Sequence, residues 1–176
     1  GVQTCALPIL TLEEIPAPQK LAKFAYALSA DVSNGLIGDA EAELANGRFV
    51  ILHEPGGQDT WEGEFRCVTF LSADLETTEA EDPSLPEHGW TWLLKALQDN
   101  RCQIAAPSGT VTRSISHSFG KLSTASDGGE IEIRASWTAI IKSGEELVAH
   151  LEAWCNLLAE ISYLMPVPDG VASFRR

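Results

Sequence analysis

Residues 110–119 read Thr110-Val111-Thr112-Arg113-Ser114-Ile115-Ser116-His117-Ser118-Phe119. Hydroxyl side chains fall on every even position, and Val, Arg, Ile, His and Phe on the odd ones. After a Ser/Asp/Gly-rich turn, Glu130, Glu132, Arg134 and Ser136 alternate with Ile131, Ile133, Ala135 and Trp137. Side chains on a strand point to opposite faces with a period of two, so this pattern predicts an antiparallel hairpin with one buried and one wetter face. It describes construction and carries no catalytic signature.

Outward from that hairpin, Arg48 to His53 is a short apolar run, followed by Pro55-Gly56-Gly57 and then by Trp61 to Leu75. Cys67-Val68-Thr69-Phe70-Leu71 is apolar on both faces, as in a central strand. Two strands around a Gly-containing loop predict a second hairpin. Cys102 to Ala106 reads as a strand leading into the first hairpin.

Helical spacing is read at three places. Leu21, Phe24, Ala25, Leu28 and Val32 follow Pro18 and end at Ser33-Asn34-Gly35, which predicts a helix. Leu36 to Asn46 is acidic and alanine-rich and is read as a short helix. Trp90, Leu93, Leu94 and Leu97 mark a short amphipathic helix after an acidic, two-proline loop over Glu76–His88. Leu147, Leu151, Trp154, Leu158 and Ile161 stripe a long helix, with Ser143 and Glu146 spaced as a capping box and Pro166 and Pro168 as its stop. The expectation is a single α+β domain over residues 11–170. It has an antiparallel sheet of about four to five strands in hairpins, two long helices and one short one, in the order helix, strands, helix, strands, helix. Residues 171–176 are read as a frayed tail. Gly1 to Ile9 resemble an in-frame translation of a sequencing-library adapter, so residues 1–10 are expected to be a non-native or disordered leader.

The chain of 176 residues suffices for one cored domain. Acidic residues outnumber basic ones 25 to 12, a formal charge of −13, and no basic patch offsets that field, so direct nucleic-acid binding is not expected. No apolar run reaches membrane-spanning length. Cys5, Cys67, Cys102 and Cys155 lack metal or disulfide-framework spacing and are read as buried thiols of a reducing cytoplasm. His53, His88, His117 and His150 are too dispersed for a metal site, and no phosphate loop or dinucleotide fingerprint is present, so no metal or cofactor is expected.

Several landmarks recur together: Glu13-Glu14-Ile15-Pro16-Ala17-Pro18-Gln19, Trp61-Glu62-Gly63 with Phe65-Arg66, and Gly89-Trp90-x-Trp92-Leu93. Further landmarks are Ser108 to Arg113, Glu132 to Trp137 and His150 to Cys155. In combination they resemble an actinobacterial family, domain of unknown function 3000. The resemblance covers nearly all residues after 10 and implies a bacterial, cytoplasmic protein with no assigned activity and no site residues to carry over. It also implies a gene neighbourhood with a ribonuclease D-like, RNA-processing exonuclease as a partner candidate. The element order is similar to small acidic secretion chaperones and YbjN-like folds, which implies α+β binders, monomeric or homodimeric; fold likeness alone does not give function.

The chemistry is left to a few residues. Glu62-x-Glu64-x-Arg66 echoes Glu130-x-Glu132-x-Arg134, so antiparallel pairing with Glu64 opposite Arg134 would place Arg66 opposite Glu132. Arg66, Arg113, Arg134 and His117 are therefore the candidates for an anionic-ligand cleft, because guanidinium forks match carboxylate and phosphate. The alternative is a charge ladder that fixes strand register. Trp90 and Trp92 are the candidate partner surface, since both cannot face the core from one helix. The leading expectation is a non-catalytic protein-binding or regulatory domain. The alternatives are a small enzyme or anion-binding domain using the Arg/His cleft, and a dimeric chaperone-like protein with an uncovered apolar strip on its last helix.

Overall fold

The computed structural model describes residues 8–123 and 127–162. Six strands form one sheet: β1 (Ile9–Ile15), β2 (Phe24–Ser33), β3 (Glu43–Gln58), β4 (Gly63–Leu75), β5 (Ile104–Ser116) and β6 (Gly128–Ala139). Every neighbour is antiparallel and the order is β1-β2-β3-β4-β6-β5. Three helices, α1 (Thr77–Ala80), α2 (Leu85–Asp99) and α3 (Gly144–Ser162), accompany it.

The α+β class is as expected; the strand number and element order are not. Residues 24–33 form β2 instead of a helix, so strands open the described chain. The apolar run fits two periods at once: Leu28 and Val32 are four apart, but Leu28, Ala30 and Val32 also alternate with Ser29 and Asp31. The second period wins because it lays Leu28 beside Phe49 and Val32 beside Ala45, inside the sheet. Leu36 to Asn46 supplies a three-residue 3-10 turn at Gly38–Ala40 and the start of β3. The acidic Glu76–His88 segment holds α1 and the first turn of α2, where Pro86 sits at the helix start and Asp82 takes the Ser84 N–H and hydroxyl.

Trp137, Trp154, Phe49, Leu71, Leu93, Leu97, Ile131 and Ile133 are among the largest fully buried side chains and lie between the helices and one sheet face. Paired residues share a face, so Cys67/Trp137, Thr69/Ala135, Leu71/Ile133 and Ala73/Ile131 form the helix-covered rows. Gly47 and Gly109 allow close approach: a Cβ on Gly47 would lie 2.6 Å from Trp154, and one on Gly109 2.9 Å from Trp90. Half of the Ser143–Glu146 capping box forms, with Ser143 Oγ accepting the Glu146 N–H (3.4 Å), while the Glu146 carboxylate takes the Lys142 N–H (2.7 Å), one residue earlier. The stripe on α3 is covered, with Trp154, Leu158 and Ile161 at 1% exposure or less, so the uncovered strip expected of a dimeric chaperone is not there. Pro166, Pro168 and the tail 171–176 lie outside the described residues, and β1 begins inside the expected leader, with Ile9 opposite Ser33. No helix among the described residues is long and apolar enough to cross a membrane.

Candidate binding face

Among the described residues the opposite face of the sheet carries no α-helix, only the 3-10 turn Asp59–Trp61 at its Thr138 end, and its side chains fall into cross-strand rows. One row runs Ser29, Arg48, Phe70, Arg134, Thr110; the next runs Ala27, Val50, Val68, Ser136, Ser108. A third runs Ala25, Leu52, Arg66, Thr138, Ala105. On the other side of the Arg48 row come Asp31, Asn46, Ser72, Glu132 and Thr112.

The expected Glu64–Arg134 register is therefore corrected. β4 and β6 do pair antiparallel, but Arg134 stands opposite Phe70, Glu132 opposite Ser72 and Arg66 opposite Thr138. The shift of six residues from the expected register keeps every side chain on its face. It is set by Cys67, Thr69, Leu71 and Ala73 lying opposite Trp137, Ala135, Ile133 and Ile131 in the core, against which surface ion pairs are too weak to compete. Arg134 instead takes Glu132 on its own strand (Nε to Oε1, 2.7 Å), and its Cζ lies 5.0 Å from the Phe70 ring centroid. Glu132 occupies Nε and leaves the two terminal nitrogens of Arg134 without a described protein partner. Arg48 is exposed, and among the described residues no carboxylate lies within 4 Å of it.

Arg48, Val50, Val68, Phe70, Ser108 and Arg134 are among the residues around an open cleft of about 400 Å³ on this face. Its floor is apolar, Val68 being 37% exposed, and its walls are guanidinium and hydroxyl. Arg66 stands in the row next to Val68 and Ser136, behind the cleft lining, and is 8% exposed. A bulge between Ala105 and Ser108 places Ala106 in the left-handed region (φ 48°), and the Ala106 carbonyl accepts from Arg66 at 2.8 Å. Arg66 also donates to Thr138 Oγ1 (3.0 Å) and Ser136 Oγ (2.9 Å), and Thr138 donates in turn to the Trp61 carbonyl. Burial lowers the Arg66 pKa, yet a guanidinium stays charged at neutral pH.

The other candidates lie apart. Arg113 stands on the helix-covered side and donates to the Ala80 carbonyl at the end of α1 (3.0 Å). His117 follows β5 and its Nδ1 is 2.8 Å from Asp127, both side chains about half exposed. Of the four expected residues Arg134 lines the cleft and Arg66 backs it through Ser108 and Ser136, and the structure adds Arg48, Phe70, Ser108 and Ser136. Trp90 and Trp92 are both half-buried against the core: Trp90 lies beneath Gly109, and Trp92 lies 6.2 Å from the His88 ring. The three described thiols are free; burial pushes Cys67 up to about 12 and Cys102 and Cys155 up to about 11, so none of these three is a thiolate nucleophile at neutral pH. Among the described residues no cluster of three or more His, Cys, Asp or Glu is placed to hold a metal ion.

Against known families, the model described as Protein of unknown function (DUF3000) matches residues 3–172. The chain belongs to the DUF3000 family. The match takes in all six strands and the three helices, so the sheet face just described is part of what the DUF3000 model spans. No curated protein and no solved structure matches the chain.

Proposed function

We propose that this DUF3000 protein is a non-catalytic binding domain whose sheet face opposite the three α-helices receives an acidic, extended segment of a protein partner. The observation that carries the reading is the Arg48–Phe70–Arg134 row beside the apolar Val50–Val68 pair. In a chain of charge −13, three guanidinium groups gather on one face, and Arg48 and Arg66 have no carboxylate partner among the described residues. Long-range repulsion by the acidic surface disfavours loose anions, so an acidic segment needs the local pairing and apolar contact that this cleft supplies. Side chains of one face of the segment would rest on Val50, Val68 and Phe70, with its carboxylates meeting Arg48 and Arg134. The raised thiols and the separation of His117 from Arg66 and Arg134 support a binding role over an enzymatic one.

Fluorescence anisotropy tests the reading, using labelled ten-residue peptides rich in Glu/Asp with Leu and Phe, and basic peptides of the same apolar content. Acidic peptides are expected to bind at low salt and to weaken as salt rises. Arg48→Glu with Arg134→Glu should lower that affinity on the order of 10-fold or more, and Trp92→Ala should leave it unchanged. Equal binding of acidic and basic peptides, or acidic binding insensitive to the double charge reversal, would overturn the proposal.

A further inference from the structure

The hydroxyl pair at the Arg66 end of the cleft specifies which group of the partner the face recognises, an inference that rests on the binding-face reading. Arg66 has four neutral acceptors and no acidic one: the Ala106 carbonyl, Thr138 Oγ1, Ser136 Oγ (2.9 Å) and Ser108 Oγ (3.4 Å). Ser108 and Ser136 stand directly opposite on β5 and β6, with their oxygens 3.3 Å apart.

Counting protons shows what is left over. Both serine oxygens accept from the same guanidinium nitrogen, and each hydroxyl has one hydrogen to donate. One hydrogen closes the bond between the two serines. The second has no described acceptor, and both serines line the cleft. A buried cation behind a hydroxyl makes its O–H a stronger donor and favours negative charge in front of it.

We propose that the Ser108–Ser136 pair, backed by Arg66, is an oxyanion seat for a carboxylate of the docked segment. Arg134, one row along on β6 at roughly 6.7 Å by strand geometry, holds the segment's next acidic group, and Arg48 lies two strands further across that same row. A carboxylate fits better than a phosphate: the direct donor at the seat is a single neutral hydroxyl, and the guanidinium behind it is already engaged by protein acceptors. A phosphate dianion would call for direct contact with several guanidinium nitrogens.

The test uses the full chain and the acidic peptides above in four forms: free C-terminus, C-terminal amide, side-chain acids replaced by Asn and Gln, and a phosphoserine form. Each is titrated against wild type, Ser136→Ala, Ser136→Thr and Ser114→Ala, with thermal melts checking that every variant is folded. Ser136→Ala should weaken the carboxylate peptide on the order of 10-fold, with Ser136→Thr restoring binding and Ser114→Ala without effect. Sensitivity to Ser136→Ala should vanish in whichever form lacks the seated carboxylate, amide or side-chain, which identifies its source. If Ser136→Ala binds every form as wild type does while Arg134→Glu loses binding, the seat is rejected and the binding face stands. If wild type binds none of the peptides at low salt, both are rejected. Binding confined to the phosphoserine form overturns the carboxylate assignment.

Discussion

Phe70 and Arg134 stand directly opposite on β4 and β6, and the Arg134 guanidinium carbon lies 5.0 Å from the centre of the Phe70 ring. Arg48, on the other side of Phe70 in the same row, makes the ring the middle of a guanidinium–aromatic–guanidinium line across three strands. A cation over an exposed ring contributes about 0.5–1 kcal/mol, and an exposed ion pair such as Arg134–Glu132 about 0–1 kcal/mol. Arg134→Ala should therefore lower unfolding free energy by about 0.5–2 kcal/mol. A double-mutant cycle with Phe70→Leu in urea should return a coupling of about 0.5–1 kcal/mol. Additive effects would separate the ring from the guanidinium.

Trp137 and Trp154 are both buried, but only one indole nitrogen is engaged. Trp137 Nε1 donates to His150 Nδ1 at 2.9 Å, whereas Trp154 Nε1 has no partner among the described residues. Trp137→Phe removes that donor and leaves a buried imidazole nitrogen unsatisfied, which costs about 1–3 kcal/mol beyond the change in packing. Trp154→Phe removes an orphaned N–H and should cost less. Chemical denaturation of the pair decides it; equal losses would contradict the bonding pattern.

His150 couples this pair to pH. Burial, opposed by the nearby Glu146 carboxylate, lowers its pKa below the ordinary 6.5, and acceptance of the Trp137 N–H at Nδ1 requires the neutral ring. The unfolded chain then binds the proton more readily than the folded one. His150 thus contributes stability that is full above pH 6.5 and is lost as pH falls from there through the folded value. Urea midpoints from pH 8 to 5 should fall with decreasing pH, and His150→Phe should flatten that part of the slope. An unchanged slope would move the titration elsewhere.

Gly47 and Gly109 hold the sheet against the two large helix side chains above it. A Cβ at Gly47 would come within 2.4 Å of the Phe70 carbonyl oxygen, and one at Gly109 within 2.4 Å of that of Arg134. Gly47→Ala and Gly109→Ala should each destabilise by about 1–3 kcal/mol through overpacking, with a lower thermal midpoint. Gly128→Ala, with open space around it, is the control expected to be far milder.

The hairpins were legible because their alternation has a strong cause: Ile131, Ile133, Ala135 and Trp137 are buried, and Glu130, Glu132, Arg134 and Ser136 are not. Residues 24–33 were not, since small Ala and Ser positions satisfy helical and strand periods alike and only the neighbouring β3 decides between them. For the site, Arg66 and Arg134 were visible as charges on strands flanked by apolar positions. Their register was not, because it follows from core rows on the opposite face. Arg48 carried a usable signal, a lone cation on the same strand face as Val50 and Leu52, whereas Ser108 and Ser136 gain meaning only when the Ala106 bulge and Arg66 bring them together.

The most direct test of the binding face is amide and methyl chemical-shift mapping on labelled protein titrated with the acidic Leu/Phe peptide. The expected result is a contiguous set of shifts at Arg48, Val50, Val68, Phe70, Arg134 and Ser136, with the outer surfaces of α2 and α3 silent. Shifts centred on Trp92 or along α3, with the β3–β4–β6 face unmoved, would contradict it.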